Sequence, residues 1–234
     1  MLGQTLACKK VSPSVCILRL SAIGDVCHAV SAVQALQIHM PSAKLTWIIG
    51  KVEYQLVKHL SGVEFIVFDK RAGFSAYRDL WKQLKNRQFD HLLHMQVALR
   101  ASLVSLCVRA KKRIGFDRQR ARDGQWLFTN TRIPSSVRPH VADGFMQFVH
   151  ELGVEQLLPS WQMPIPDEAQ RWLSEQVFAG VPTFAICPSA SKAERNWTVE
   201  GYSDVAAWAA EQGRWPQALH SEVRPQPRSY QPHG

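Results

Sequence analysis

Short apolar runs alternate with longer amphipathic segments over roughly the first half of the chain. Each apolar run predicts a buried strand, and these lie at 15–18, 45–49, 65–68, 91–95 and 113–116. The amphipathic segments predict helices near 26–39, 53–60, 75–86, 98–108 and 140–152. Because parallel strands need helical crossovers, this alternation predicts an α/β domain with a parallel, Rossmann-like sheet.

The same pattern divides the chain into segments. The first domain is predicted at 14–153, and the proline-bearing segment 154–166 is predicted to be a linker. A second α/β unit begins at 167–213, with two helices and one strand, at 183–187, that has no partner strand. From 214 to 234 four prolines interrupt any periodicity, and this segment is expected to be an aberrant, disordered tail.

Composition places the protein in the globular, non-membrane class. Hydrophobic residues make up 46% and charged residues 20% of the 234 residues, which is typical of a packed core and excludes a largely disordered chain. No run of about 18 apolar residues is present, so no membrane span is predicted. The start of the chain does not read as a secretory signal, and the five cysteines form no Cys-x-x-Cys pair. A reducing cytoplasm is therefore expected, with no structural zinc and no disulfide framework.

The turn after the first strand is the leading candidate site. It reads Ser21-Ala22-Ile23-Gly24-Asp25, and ligands of open parallel sheets bind outside the carboxyl ends of the strands. Gly24 allows a tight turn or the close approach of a ligand. Asp25 can act as a general base on a substrate hydroxyl, or it can be a first-turn acid that the helix dipole favours. The turn has neither the Gly-x-Gly-x-x-Gly nor the Walker pattern, which argues against ordinary dinucleotide or P-loop binding.

A basic stretch at 109–122 is the second candidate. It holds seven cations and one acid, Asp117, and clustered arginines suit the capture of phosphate or carboxylate groups. The chain as a whole has a formal net charge of +9, so nucleic acid would also be attracted. The stretch lacks interleaved aromatic residues for base stacking, and a solvated basic loop is the alternative that needs no ligand.

The loop 188–197 follows the strand of the second unit and is the third candidate. Ser189 and Ser191, with free backbone amides around them, can cradle a phosphate, and Lys192 or Arg195 can supply charge. An ordinary loop that caps the next helix is the alternative.

These three segments, in this order, resemble the bacterial lipopolysaccharide heptosyltransferases, glycosyltransferase family nine. The resemblance starts at 17–26, where an apolar strand leads into a small-residue turn and Gly-Asp. It continues through 113–122, returns at 188–202, and covers about residues 14–212. It implies a GT-B architecture, in which a Rossmann-like N-terminal domain binds the acceptor and a second Rossmann-like domain binds the nucleotide-sugar.

The implied reaction is a metal-independent, inverting transfer of heptose from ADP-heptose to the inner core of lipopolysaccharide, with no cofactor. Under this resemblance Asp25 matches the proposed base that deprotonates the acceptor hydroxyl. Ser21 and Gly24 of the same turn are assigned to the acceptor. Arg120 and Arg122 fall where family members hold the anionic acceptor.

The resemblance also assigns residues to the nucleotide-sugar donor. Arg195 matches a basic residue that contacts the donor diphosphate, and Ser191 matches a hydroxyl position beside it. Ser189 and Lys192 of the same loop are added to this donor site. Many family members have lysine where this chain has Arg195, so the charge is kept and the geometry differs.

The chain departs from the family pattern after residue 213. The Asp-Thr-Gly-x-x-His segment that binds the nucleotide-sugar is absent, as it would be after a frameshift or a premature stop. We therefore expect little or no transfer activity from this chain, since oriented attack needs both substrates.

Two alternatives to the transferase stay open at this point. One is a non-catalytic domain that binds anionic glycolipid, and the other, with less support, is a nucleic-acid-binding protein. The expected location is the cytoplasm. Because anionic lipid attracts basic surfaces, peripheral contact with the inner face of the inner membrane is a further expectation.

Overall fold

The computed structural model describes most of the chain. The described residues are 12–135, 140–155, 159–176, 183–186, 188, 193–212 and 215–218. The chain divides between Pro164 and Ile165 into two compact units, called unit 1 and unit 2 here. Three of the predicted donor residues, Ser189, Ser191 and Lys192, lie outside the described residues.

Unit 1 is built on a six-stranded parallel sheet. In chain order the strands are β1 (Ser14–Leu18), β2 (Lys44–Gly50), β3 (Val63–Phe68), β4 (Phe89–His94), β5 (Ala110–Gly115) and β6 (Thr131–Arg132). In space the order is β3-β2-β1-β4-β5-β6, and every neighbouring pair is parallel. The predicted parallel Rossmann-like sheet is confirmed, and β6 is the one strand of unit 1 that the apolar pattern did not predict.

Helices cover both faces of this sheet. They are α1 (Ile23–His39), α2 (Lys51–Val57), α3 (Phe74–Leu84), α4 (Leu99–Ser105) and α5 (Val141–His150). One apolar cluster lies under α1 and α5, and the other lies under α3 and α4. The central strand β1 supplies Val15 and Ile17 to the first cluster and Cys16 and Leu18 to the second, because successive side chains of a strand point to opposite faces. Continuous burial of β1 therefore follows from its central place, and burial raises the pKa of the Cys16 thiol to about 12.

Unit 2 contains α6 (Asp167–Gln176), β7 (Thr183–Ile186), α7 (Val199–Glu211) and β8 (Trp215–Ala218). β7 and β8 are parallel neighbours, so the expectation of a strand without a partner is wrong. Residues 215–218 of the predicted tail form β8, and the rest of that segment lies outside the described residues. Pro216 concealed this strand in the sequence, although proline is compatible with a strand that has an open edge.

The search for membrane-spanning helices gave a negative result. Within the described ranges, no helix combines the length and the apolar character that crossing a bilayer requires.

The buried imidazole of His94, at the end of β4, predicts a pH dependence of stability. Burial, assisted by the charge of Arg113, lowers the pKa of His94 from 6.5 to about 3. Its Nδ1 lies 3.1 Å from Nε2 of Gln125. The folded state keeps His94 neutral where the unfolded chain takes up a proton, so its contribution to stability is complete above pH 6.5 and is lost as the pH falls toward 3. The expected slope is about 1.4 kcal/mol per pH unit for this one proton.

Replacing His94 with leucine tests this origin of the slope. Gln125 Nε2 keeps its bonds to the carbonyl oxygens of His94 (2.8 Å) and Gln96 (3.1 Å), so the variant leaves no new unpaired amide. Denaturant unfolding of both proteins between pH 7 and pH 4 gives the slopes. We expect the His94→Leu slope to be smaller by about one proton. Equal slopes for the two proteins would refute this account of His94.

Candidate active site

The point where the sheet reverses its strand order lies between β1 and β4. In open α/β sheets this reversal opens a crevice at the carboxyl ends of the strands. Here the two loops that leave β1 and β4 are tied together. Arg19 Nη1 donates to the carbonyl oxygen of Met95 (2.5 Å), and Leu20 N donates to Gln96 Oε1 (2.7 Å). Gln96 Nε2 also donates to Ser21 Oγ (3.2 Å), so the predicted turn is fixed from both strands.

An ion pair joins Arg19, just past β1, to Asp25, in the first turn of α1. Arg19 Nη2 donates to Asp25 Oδ2, and the side chains are 10% and 34% exposed. Burial lowers the pKa of Arg19, and the charge of Asp25 opposes that shift. The guanidinium carbon also lies 5.3 Å from the centre of the Phe145 ring, so an aromatic face contacts this cation.

The two interpretations of Asp25 coexist in this geometry. Oδ2 accepts from Arg19 and, at 3.4 Å, from the backbone N–H of Ala22, as a first-turn acid does. Oδ1 accepts no hydrogen bond from any described residue. The carboxylate is thus held through one oxygen, and the other stays available to a ligand.

A cavity of about 320 Å³ lies beside this carboxylate. Its walls come from the ends of β1, β4 and β5 and from the start of α5, and they include Arg19, Asp25, Arg120, Arg122, His140 and Phe145. The side chain of Arg122 is exposed and makes no hydrogen bond or ion pair within the described part of the chain. It is available to an anion beside Asp25.

Arg120 also lines this cavity, but its guanidinium is largely engaged. Nε donates to Asp117 Oδ2, and Nη2 donates to Pro134 O (3.0 Å) and Gln147 Oε1 (2.9 Å). Burial alone would raise the pKa of Asp117, but hydrogen bonds from Arg120 and from backbone amides outweigh it and lower the pKa. Arg120 therefore holds the loop after β5, and Nη1 is the nitrogen that donates to none of the described residues.

A larger cavity of about 600 Å³ lies on the other side of the same turn, at the ends of β1, β2 and β3. Four cations line it, against the two acids Glu53 and Asp69, and they are Lys51, Lys70, Arg71 and Arg100. Lys51 Nζ lies 3.1 Å from Asp69 Oδ2. Ser21 lines this cavity and Asp25 lines the smaller one, so the predicted turn separates two pockets.

Several cations of the basic stretch 109–122 are bound to other groups of the protein. Arg113 is enclosed by acceptors, with Nη1 donating to Val108 O (2.7 Å) and Nε to Phe128 O (2.8 Å). Lys111 and Lys112 pair with acidic side chains, at 2.8 Å and 3.4 Å. The stretch is therefore no continuous basic surface, which removes the main support for nucleic-acid binding.

The structure adds residues that the sequence interpretation missed. Arg19 carried a signal, because it is the one charge in the apolar run 15–20. The cations of the larger cavity carried none, since they are scattered over about fifty residues and only the sheet topology brings them together.

The predicted donor residue that falls in the described part of unit 2 is Arg195. It lies in the short 3-10 turn Ala193–Arg195 before α7, and its side chain is exposed. Among the residues the structure describes, no group of three or more histidine, cysteine, aspartate or glutamate side chains is placed to hold a metal ion.

Two glycines near the turn predict opposite effects of alanine. A Cβ on Gly50 would clash with the carbonyl oxygen of Leu20, whereas a Cβ on Gly24 would meet nothing within 4 Å. We expect Gly50→Ala to lower the free energy of unfolding by about 1–3 kcal/mol, because backbone would have to move. Gly24→Ala should be neutral or slightly stabilising, since alanine favours a helix. Urea unfolding of both variants measures this, and equal losses would contradict the geometry.

The backbone conformation of Gly24 distinguishes between the two roles predicted for it, a tight turn and the close approach of a ligand. Gly24 does not have a positive φ, so the turn itself does not require glycine. Close approach of a ligand is the role that the geometry leaves open.

Comparison with known proteins identifies the family. A model of glycosyltransferase family 9 (heptosyltransferase) matches residues 77–223. The lipopolysaccharide core heptosyltransferase OpsX of Haemophilus influenzae is 46% identical over 193 residues, which is 82% of this chain and 56% of that protein. The chain thus spans a little over half the length of this curated relative.

Solved structures agree on the fold. The E. coli heptosyltransferase WaaC with ADP matches 88% of this chain and 66% of that one, with a TM-score of 0.69 and 20% identity. A family 9 glycosyltransferase from Veillonella parvula matches 88% of this chain and 62% of that one, with a TM-score of 0.71 and 18% identity. The predicted GT-B type of α/β fold is confirmed over the part of those structures that this chain covers. Since the family model matches more than half of the chain and OpsX is 46% identical, the chain belongs to glycosyltransferase family 9, the heptosyltransferases.

Proposed function

We propose that the protein is of the heptosyltransferase type, which moves heptose from ADP-heptose to the inner core of lipopolysaccharide, and that transfer by the 234-residue chain itself is slow. The observation that carries this proposal is the Asp25 carboxylate on the wall of a cavity at the strand-order reversal, held by Arg19 through Oδ2 while Oδ1 accepts from none of the described residues. This is the arrangement that a general base for a bound hydroxyl requires. OpsX, at 46% identity, is named a lipopolysaccharide core heptosyltransferase.

Asp25 takes the proton of the acceptor hydroxyl at Oδ1 as that oxygen attacks the anomeric carbon of the heptose. The fixed position of the carboxylate spares the reaction the cost of orienting the base. Arg19 stays bound to Oδ2, so the carboxylate keeps its orientation. Carboxylate and arginine thus act as one unit, with the proton moving at Asp25 alone.

The cations around the turn bind the anionic acceptor. Arg122 lines the same cavity as Asp25 and supplies a guanidinium that pairs with no side chain in the described ranges, and Arg120 holds the loop after β5 in place. Ser21 lines the larger cavity, and a Cβ on Gly24 would meet nothing within 4 Å, so the open space beside Gly24 lets a sugar approach. The four cations of the larger cavity extend the same positive surface, which suits phosphate or carboxylate groups.

The donor contacts belong to unit 2 and rest on the family resemblance. Arg195 would face the diphosphate, with Ser189, Ser191 and Lys192 of the same loop around it. The leaving diphosphate is then stabilised by side-chain cations and backbone amides, so the reaction needs neither a metal ion nor a cofactor. The acceptor is a glycolipid, so we also propose that the protein works in the cytoplasm, in peripheral contact with the inner face of the inner membrane.

A second candidate is a domain that binds anionic glycolipid without catalysis. It is favoured by the fact that both cavities are complete within unit 1. Binding there does not require the donor loop.

One experiment separates the two candidates. The purified protein is incubated with ADP-heptose and an inner-core acceptor, and heptosylated product is followed by mass spectrometry so that slow transfer is detected. Product supports the transferase. Acceptor binding without product assigns the non-catalytic role instead, and the absence of both contradicts the proposal.

A further inference from the structure

The outer face of α3 exposes two aromatic side chains. The helix buries Ala76, Leu80 and Leu84 against the sheet. On its other side Phe74 is 84% exposed and Trp81 is 53% exposed. The two aromatic residues are seven positions apart, so they share one side of the helix. Exposed rings of this size lose favourable burial unless something covers them.

The same face is strongly positive. The segment 70–85 holds five cations and a single acid, Asp79. All five cations are exposed, and they are Lys70, Arg71, Arg78, Lys82 and Lys85. Arg78 Nε lies 3.8 Å from Asp79 Oδ1, and the Lys85 ammonium lies 5.7 Å from the centre of the Trp81 ring. These loose contacts leave the cations free to meet an anionic partner.

We propose that this face docks the protein on an anionic lipid bilayer. The α3 surface is defined by Lys70, Arg71, Phe74, Arg78, Trp81, Lys82 and Lys85. Tryptophan and phenylalanine settle at the level of the lipid headgroups, and lysine and arginine beside them are attracted to anionic headgroups. A convex helix with two separated rings fits a bilayer better than nucleic acid, whose bases stack on aromatic residues along a groove.

The position of the α3 surface relates docking to the candidate site. Lys70 and Arg71 belong both to this surface and to the wall of the larger cavity. Docking therefore brings lipid headgroups to the rim of the cavity at the carboxyl ends of β1, β2 and β3. The inference rests on the membrane contact of the proposed function and assigns that contact to one surface, and binding to a bilayer needs neither Asp25 nor the donor.

Vesicle sedimentation tests the docking surface directly. The purified protein is mixed with vesicles of phosphatidylcholine that contain about 30 mol % phosphatidylglycerol, and with vesicles of phosphatidylcholine alone. We expect binding to the anionic vesicles that weakens as salt is raised, and little binding to the neutral ones. Comparable binding to both kinds of vesicle, or to neither, would overturn the proposal.

Variants assign the binding to the α3 surface. Replacing Phe74 and Trp81 together with serine should weaken binding to anionic vesicles about tenfold, because two interfacial side chains are lost. Replacing Arg78 and Lys82 with glutamine should weaken it and reduce its salt dependence. All four residues are exposed, so folding is expected to be retained and is checked by thermal unfolding.

Matched controls keep the assignment falsifiable. Trp126→Ser removes a tryptophan that is 49% exposed in the short 3-10 helix Gln125–Phe128. Arg118→Gln removes an exposed cation from the loop after β5. Both should bind like the unaltered protein. An equal loss in Trp126→Ser would move the docking surface away from α3.

Fluorescence quenching tests how deeply Trp81 enters the bilayer. Brominated lipids should quench tryptophan fluorescence of the bound protein, and Trp81→Phe should lose most of that quenching while still binding.

A duplex DNA oligonucleotide is offered as the competing partner. Salt-sensitive DNA binding that is stronger than vesicle binding, and that ignores the loss of Phe74 and Trp81, would refute the bilayer. Intact acceptor binding with no vesicle binding would overturn this inference and the proposed membrane contact, and would leave the proposed sugar transfer standing.

Discussion

Replacing Asp25 with asparagine should lower the rate of heptose transfer about 10²- to 10⁴-fold, the range that a positioned general base contributes. The amide keeps an oxygen that can accept from Arg19, so the shape of the turn is retained. It cannot take up the hydroxyl proton. Binding of the acceptor should therefore change little while product formation falls, which mass spectrometry and a binding titration measure on the same preparation.

Asp143→Asn is the matched control for this substitution. Asp143 is also an acid in the first turn of a helix, α5, but it does not line either cavity. Both variants lose the same favourable interaction with a helix dipole. A comparable fall in rate in the two variants would mean that Asp25 stabilises α1 and takes no part in the chemistry.

Replacing Arg19 with methionine should lower the free energy of unfolding by about 2 kcal/mol and also weaken transfer. The carbonyl of Met95 loses its donor, and Asp25 loses the cation that holds Oδ2. Methionine has a similar length and fits beside Phe145, so the stability loss comes from the polar contacts and little from a cavity. Asp25 is partly exposed and regains water, which keeps the loss below that of a fully buried ion pair.

Two further variants show what the Arg19 measurement means. Arg19→Lys keeps the charge and should recover much of the stability, but it cannot donate to Met95 and Asp25 in the same fork geometry. Its transfer rate should therefore stay low. Arg118→Met removes an exposed arginine and should leave stability unchanged. Full recovery of transfer in Arg19→Lys would show that charge alone, without orientation, is what Arg19 supplies.

The sheet of unit 1 could be predicted from sequence because burial leaves a strong pattern. A strand such as β1, covered on both faces, must be apolar at every position, and its run from Val15 to Leu18 is visible without a structure. β6 has only the two residues Thr131 and Arg132, which is too short for a pattern of apolar and polar positions to be visible. β8 was hidden by Pro216, which is permitted in an open-edged strand.

The candidate site could be predicted only where one short segment carries it. The turn from Ser21 to Asp25 is local, and the rule that ligands bind at the carboxyl ends of parallel strands is enough to select it as a candidate. In the structure Asp25 lines a cavity. The number of cations in 109–122 overstated the basic surface, because a count of charges along the sequence does not show which of them pair with other groups of the protein. Arg113 and Arg120 proved to be largely engaged by carbonyl and carboxylate oxygens.

The most direct test of the central claim is a titration of the protein with a deacylated lipopolysaccharide inner-core acceptor, followed by backbone amide NMR shifts. Our account predicts saturable shifts in the turn 21–25 and in the loop 95–98 after β4, and weaker binding by Arg122→Ala. Binding does not depend on turnover, so the result is informative whatever the transfer rate. Saturable binding whose shifts lie elsewhere, or no binding at all, would contradict the assignment of this crevice as the acceptor site.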